Sequence, residues 1–165
     1  RDLHSFPTRR SSDLEMVQPQ EGLYAYIPNL PQQHNAIFYS ATSTDKAHAG
    51  QVMALYTSST NAVAPEVVAC ATTDVAPFGI VVYDCRIPEY AVGDKIALAK
   101  EGDVIYMIAG GTVAVGDKLN FNASTRKVTA DAGSATVIGT ALTPASANGF
   151  VQVAIKFETY ITPST

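Results

Sequence analysis

The sequence predicts an all-β fold: a small β-barrel or sandwich of short antiparallel strands, with an extended N-terminal arm. Three observations predict it. Several stretches alternate apolar and polar residues with period two, turn-forming residues recur every several positions, and no segment keeps helical periodicity over three turns. With 165 residues, 47% of them hydrophobic and 16% charged, the chain can bury one core. The expectation is a single β-domain over residues 36–158, followed by a tail at 159–165.

Taken from the start, residues 1–14 read RDLHSFPTRRSSDL. The whole string resembles the in-frame translation of a short-read sequencing adapter, so it is set aside as an artefact before any fold reasoning. The native sequence is then expected to begin near Glu15 or Met16, and Arg9-Arg10 is not a targeting arm. Residues 15–35 are polar and punctuated by Pro19, Pro28 and Pro31 around the patch Leu23-Tyr24-Ala25-Tyr26-Ile27. Proline removes backbone donors and disfavours helix, so this reads as an extended arm with one short strand. Such an arm can pack on a neighbouring subunit or wrap its own domain. The residues singled out for contact with a neighbouring subunit are Tyr24, Tyr26 and Ile27.

Strands follow. Val52-Met53-Ala54-Leu55-Tyr56 and Gly79-Ile80-Val81-Val82-Tyr83 are short apolar runs bounded by turn residues. Asp103-Val104-Ile105-Tyr106-Met107-Ile108 is apolar on both faces, which predicts a strand covered on both sides. Leu119 to Asn122 alternates and meets Lys127-Val128-Thr129 across a short polar loop, a hairpin. Phe150 to Phe157 alternates most cleanly, with Val151, Val153, Ile155 and Phe157 on one face and Gln152 and Lys156 on the other. Between them lie Ala49-Gly50, Val92-Gly93-Asp94, Gly102-Asp103, Gly110-Gly111, Val115-Gly116-Asp117 and Asn148-Gly149. Glycine there supplies positive φ, and aspartate can bond backbone two residues on. Residues 144–147 allow one turn of helix and no more.

An internal repeat runs through these elements. Ala49-Gly50-Gln51-Val52 opens a strand as Val115-Gly116-Asp117-Lys118 does. Phe78-Gly79-Ile80-Val81 matches Ile138-Gly139-Thr140-Ala141, and Val92 to Leu98 matches Asn148 to Val153. Two copies in the same order suggest a motif duplicated inside one barrel.

The chemistry-bearing residues point away from catalysis. Lysines and arginines are scattered singly within a net charge of −4, so no phosphate-tracking surface and no nucleic-acid partner are expected. No apolar run is long enough to span a bilayer, so no membrane role is expected. No basic start followed by an apolar stretch marks a secretory signal. His34 and His48 lack the spacing to cysteine or carboxylate that a metal site needs. Cys70 and Cys85 form no C-x-x-C motif; they read as partly buried thiols in a reducing cytoplasm, with a disulfide left open. Asp84 and Arg86 flank Cys85 and leave its reactivity open. No G-x-S-x-G elbow is present, and Glu101 and Asp103 beside Gly102 read as a solvated turn rather than an acid–base pair. Gly93-Asp94-Lys95 and Gly116-Asp117-Lys118 are turn chemistry and not phosphate loops. The expectation is no enzyme, no catalytic residues, no metal and no cofactor.

From Gly50 to Phe157 the ordered set of turns and strands is similar to the capsid decoration (cement) proteins of tailed bacteriophages. The residues that carry this are Phe78-Gly79-Ile80-Val81-Val82, Tyr90 to Ala99, Gly102 to Met107, Val113 to Leu119, Thr125 to Val128, Ile138 to Leu142 and Gly149 to Val153. The segment before Ala36 does not match that pattern. The resemblance implies a small β-barrel protein on the capsid exterior, commonly a homotrimer, clamping the major capsid protein and made in the bacterial host cytoplasm. The alternative is a carbohydrate-binding or adhesion β-module of a secreted or tail-associated protein. The lack of tryptophan weighs against it, while eight tyrosines speak for it.

Overall fold

The structure, a computed structural model, describes residues 20–22, 24–26, 34–61, 63–70, 76–84, 86–131, 133 and 136–158, with 24–26 described in backbone only. These residues contain thirteen strands and no helix. The N-terminal strand is β1, Tyr24–Tyr26. Next come β2 His34–Phe38, β3 Lys46–His48, β4 Val52–Leu55, β5 Glu66–Ala69, β6 Pro77–Val81, β7 Glu89–Ala91 and β8 Lys95–Ala99. The second half contributes β9 Val104–Ile108, β10 Lys118–Asn122, β11 Lys127–Ala130, β12 Val137–Ala141 and β13 Phe150–Glu158.

In the first half β2, β5, β4, β6 and β8 close into a barrel in that order, all antiparallel except the β2–β5 pair. The second half forms a sheet ordered β1-β9-β13-β12-β10-β11. A parallel bridge, Ala109 to Val128, joins the end of β9 to β11. The small β3–β7 ladder folds over the first barrel, and the bridge Val113 to Ala145 stands in the same place on the second.

The repeat is therefore real, but it does not lie inside one barrel: the first copy closes its own, and the second forms a sheet that the Ala109–Val128 bridge rolls into a partly closed second barrel. The match holds pair by pair. Val52 faces Ile80 and Met53 faces Gly79; Lys118 faces Thr140 and Leu119 faces Gly139. A register shift follows Met53 in one copy and Leu119 in the other. Gly50 N–H donates to Val81 C=O, and Gly116 N–H to Ala141 C=O. The third sequence match is off by one residue. Gly93 N–H and Phe38 N–H bond across to Phe38 and Asp94, as Asn148 N–H and Ala109 N–H do to Ala109 and Gly149. Asn148, at φ 66°, thus occupies the left-handed place of Gly93, at φ 93°. Asparagine is among the few residues that tolerate that region.

Two buried clusters fill the halves. Phe38, Met53, Val67, Val81, Ile96 and Leu98 lead the first. Ile105, Met107, Leu119, Phe121, Val128, Ile138, Val151, Val153 and Ile155 lead the second, which also takes in Val52, Cys70, Ile80 and Ala99 from the first half. Strand alternation explains the split, since Met53 and Val81 go to one cluster and their neighbours Val52 and Ile80 to the other. β13 follows its predicted pattern, with Val151, Val153 and Ile155 buried, Lys156 exposed and Phe157 only half-buried. β9 buries one face, Ile105 and Met107, and half-buries Val104, Tyr106 and Ile108 on the other, less than the full cover its sequence suggested. Residues 144–147 form a bridge and a turn, not a helical turn.

Candidate functional site

The junction of the two halves is held by the start of the arm. Gly22 donates its N–H to Tyr106 C=O at 2.7 Å and accepts from Tyr83 N–H at 3.1 Å, so one residue links both halves. Its φ of +73° favours glycine, and a Cβ there would lie 2.6 Å from Val81 O and 2.7 Å from Gly50 N. Just beyond, β1 pairs with β9, Tyr24 beside Ile105 and Tyr26 beside Val104. It takes the stretch of β9's edge that lies ahead of the Ala109–Val128 bridge. Between the arm and that bridge the edge is open, and a pocket of about 410 Å³ sits there. Gln20 and Glu21 wall it on the arm, His48, Ala49, Tyr83 and Pro88 on the first half, and Ile108, Thr125, Arg126 and Lys127 on the second.

Glu21 is half-buried there. Its Cγ and Cδ rest over Gly50, where an added Cβ would come within 2.2 Å of Cγ. Its Oε1 is buried and has no hydrogen-bond partner. Burial pushes its carboxyl up to about 7, against the opposing pull of Arg126 and Lys127. His48 is held below the ordinary imidazole range by burial, then by Arg126, with Glu89 opposing. The Glu89 carboxylate stands 3.8 Å from His48 Nδ1. Lys127 Nζ donates to Asn148 Oδ1 at 2.5 Å.

The exposed large apolar side chains include Val115 at 63%, Leu142 at 45% and Phe150 at 40% relative exposure. They surround one end of the second barrel, where Gly116 bonds Ala141 and Leu142 N–H donates to Gln152 C=O.

Of the residues singled out from sequence, Tyr24 and Tyr26 stand in β1, their backbone paired with β9 of the same chain, and Ile27 lies outside the described residues. So do residues 1–14, 159–165 and Cys85. Cys70 is buried in the second cluster. His34 opens β2 opposite Leu98 and is exposed. Glu101 Oε1 accepts from Phe157 N–H at 2.9 Å and Asp103 Oδ2 from Lys100 N–H at 2.8 Å, so both carboxylates brace backbone. The aspartate turns work backwards from expectation. Asp94 accepts from Ala91 N–H and Asp117 from Ala114 N–H, three residues earlier in each case. Among the described residues no group of three or more His, Cys, Asp or Glu is placed to hold a metal. Sequence reasoning missed Glu21, Arg126 and Lys127; the one available signal was an acidic residue beside a glycine in an arm whose only other charged residue is Glu15.

Comparison with known proteins agrees with this architecture. The solved structure of the head fiber gp8.5 N base of bacteriophage phi29 superposes with a TM-score of 0.52 at 19% identity, covering 78% of this chain and 96% of that one. That likeness is one of fold. No curated protein matches the chain. Residues 32–157, both halves together with the last residues of the arm, match the phage cement protein family. The chain belongs to that family, and is a phage virion structural protein.

Proposed function

We propose that this protein binds the outside of an assembled phage capsid and stabilises it, without catalysing a reaction. The observation that carries this is the family match across both halves. The head fiber neighbour and the use of Asp94, Glu101, Asp103 and Asp117 as backbone braces support it. The partner is the major capsid protein, the working unit a homotrimer, and the place of action the capsid exterior after synthesis in the host cytoplasm. A cement protein whose site spans several shell subunits binds the finished lattice rather than loose subunits. Binding at a hundredfold excess over Kd then stabilises each site by about 2.7 kcal/mol. Tyr24, Tyr26 and Ile27 are the residues that make contact with the capsid or a neighbouring protomer.

Undecorated heads of the parent virus, mixed with the purified protein, should fill regular surface positions and release DNA at a higher temperature. Bare shells at saturating protein in cryo-microscopy would sink the proposal. Removing the whole arm would also remove Glu21, Gly22 and β1, so the contact is better tested with Tyr24→Ala and Tyr26→Ala. These should weaken head binding with an unchanged melting temperature. Light scattering should give three chains per particle in solution or on the shell.

A further inference from the structure

We propose that the junction pocket is a carboxylate-binding site, and that its occupant on the virion is an acidic side chain of the capsid lattice. Four features of the pocket converge on that chemistry. The first is its cationic wall. Arg126 and Lys127 stand side by side where the β10–β11 turn enters β11 and line the cavity, and neither forms an ion pair among the described residues.

The second is backbone. Tyr106 C=O and Gly110 N–H turn to the β1/β11 edge of β9, where they meet Gly22 and Val128. Alternate residues of a strand direct their peptide groups to the same edge. Ile108, midway between them, therefore turns its N–H to that edge, and Ile108 lines the pocket. The third is Glu21. Its buried Oε1 lacks a partner, and the burial that keeps this carboxyl protonated makes it an O–H donor over most of the range below neutrality. A protonated acid can bond an incoming carboxylate, whereas an ionised one would repel it. The fourth is size. A cavity of about 410 Å³ takes a side chain and is far larger than a single ion requires.

The other titratable groups facing Glu21 fit this charge pattern. His48, from β3, lines the pocket with its Nδ1 3.8 Å from the Glu89 carboxylate of β7. Tyr83 closes the first-half side. An amine would meet two fixed cations here; a carboxylate meets two cations, one amide and one acid proton. The choice of the capsid as source rests on the function proposed above, while the carboxylate chemistry does not.

The site is tested with acetate as probe, followed by amide chemical shifts of the ¹⁵N-labelled full chain at pH 6. Acetate should produce saturable shifts at Gly50, Tyr83, Ile108 and Arg126, and methylammonium should not. Affinity should fall at least fivefold at pH 8.5. Arg126→Ala, an exposed position, should abolish saturation. Glu21→Gln, which keeps a donor, should bind acetate and lose most of the pH dependence. Absence of saturable shifts, saturation by methylammonium, or wild-type affinity in Arg126→Ala would each overturn the carboxylate site. The source is tested separately on undecorated heads. Arg126→Ala should bind them at least tenfold more weakly, and unchanged head binding alongside lost acetate binding would overturn the capsid side chain as occupant while leaving decoration itself intact.

Discussion

Protonated, the Glu21 side chain can lie over Gly50 without placing a charge in the junction; ionised, it is a buried carboxylate short of donors. Its folded pKa of about 7 stands above the ordinary glutamate value of 4.5. Below both values the group is neutral in either state and costs nothing. Between them the unfolded chain releases a proton that the folded chain keeps, so stability falls as pH rises through this window and levels off above it. Allowing for the partial exposure of the group, Glu21→Gln should remove a decline on the order of 1–2 kcal/mol between pH 4.5 and 7.5. Urea midpoints at the two pH values check this, and an equally steep decline in the variant would acquit Glu21. Glycines separate in the same way by what surrounds them. Gly116 needs its positive φ, yet has open space beside it, so Gly116→Ala should cost only about 1 kcal/mol. Gly139 is different: a Cβ would sit 2.4 Å from Ala154 O and 2.7 Å from Val153 Cγ1. Gly139→Ala should cost about 3 kcal/mol or more, because backbone of β13 must give way.

Between residues and the fold stand the turns and strands, and here the sequence was most legible. Period-two alternation named β13 and the β10–β11 hairpin because those strands bury one face and wet the other. Glycine before aspartate named the turns, since the backbone needs positive φ there and the carboxylate caps the amide three residues back. What alternation cannot specify is the neighbour. The same pattern suits one large barrel or two small ones, and closure through the parallel β2–β5 pair joins strands that β3 and β4 separate in sequence. The pocket was illegible for a related reason. Its walls come from residues 20–21, 48–49, 83, 88, 108 and 125–127, which only the folded junction brings together. Gly93 and Asn148 give a test of the turn logic at this scale. Asn148→Gly should be within about 0.5 kcal/mol of wild type, trading the Lys127 contact for freedom at positive φ. Asn148→Ala loses both and should cost about 1–2 kcal/mol. If the alanine variant matched the glycine variant in melting temperature, the left-handed turn would not be the reason asparagine stands there.

For the whole molecule, duplication raises the question of why two barrels of one plan do not face the world alike. The outward positions of the first barrel, Val52, Ile80 and Ala99, join the core of the second half. Their register equivalents in the second barrel are Lys118, Thr140 and Ala154. None of these is buried, and Lys118 is ion-paired with Glu158 at 2.6 Å. The second copy therefore ends the pairing on this face where the first begins it, and a third barrel has no apolar seat there. The same contrast predicts how the molecule unfolds. Because first-half side chains complete the second core, neither half can lose its packing alone, and one cooperative transition is expected. Ile80→Ala should destabilise that transition by about 3 kcal/mol, as deletion of a buried branched side chain does. Thr140→Ala, at the equivalent but half-buried place, should stay within about 0.5 kcal/mol. Calorimetry and near-ultraviolet circular dichroism should report one shared midpoint for wild type and for Ile80→Ala. Two separated transitions, with only one of them moved by the substitution, would mean that the barrels fold as independent units and that the shared cluster is a contact rather than a common core.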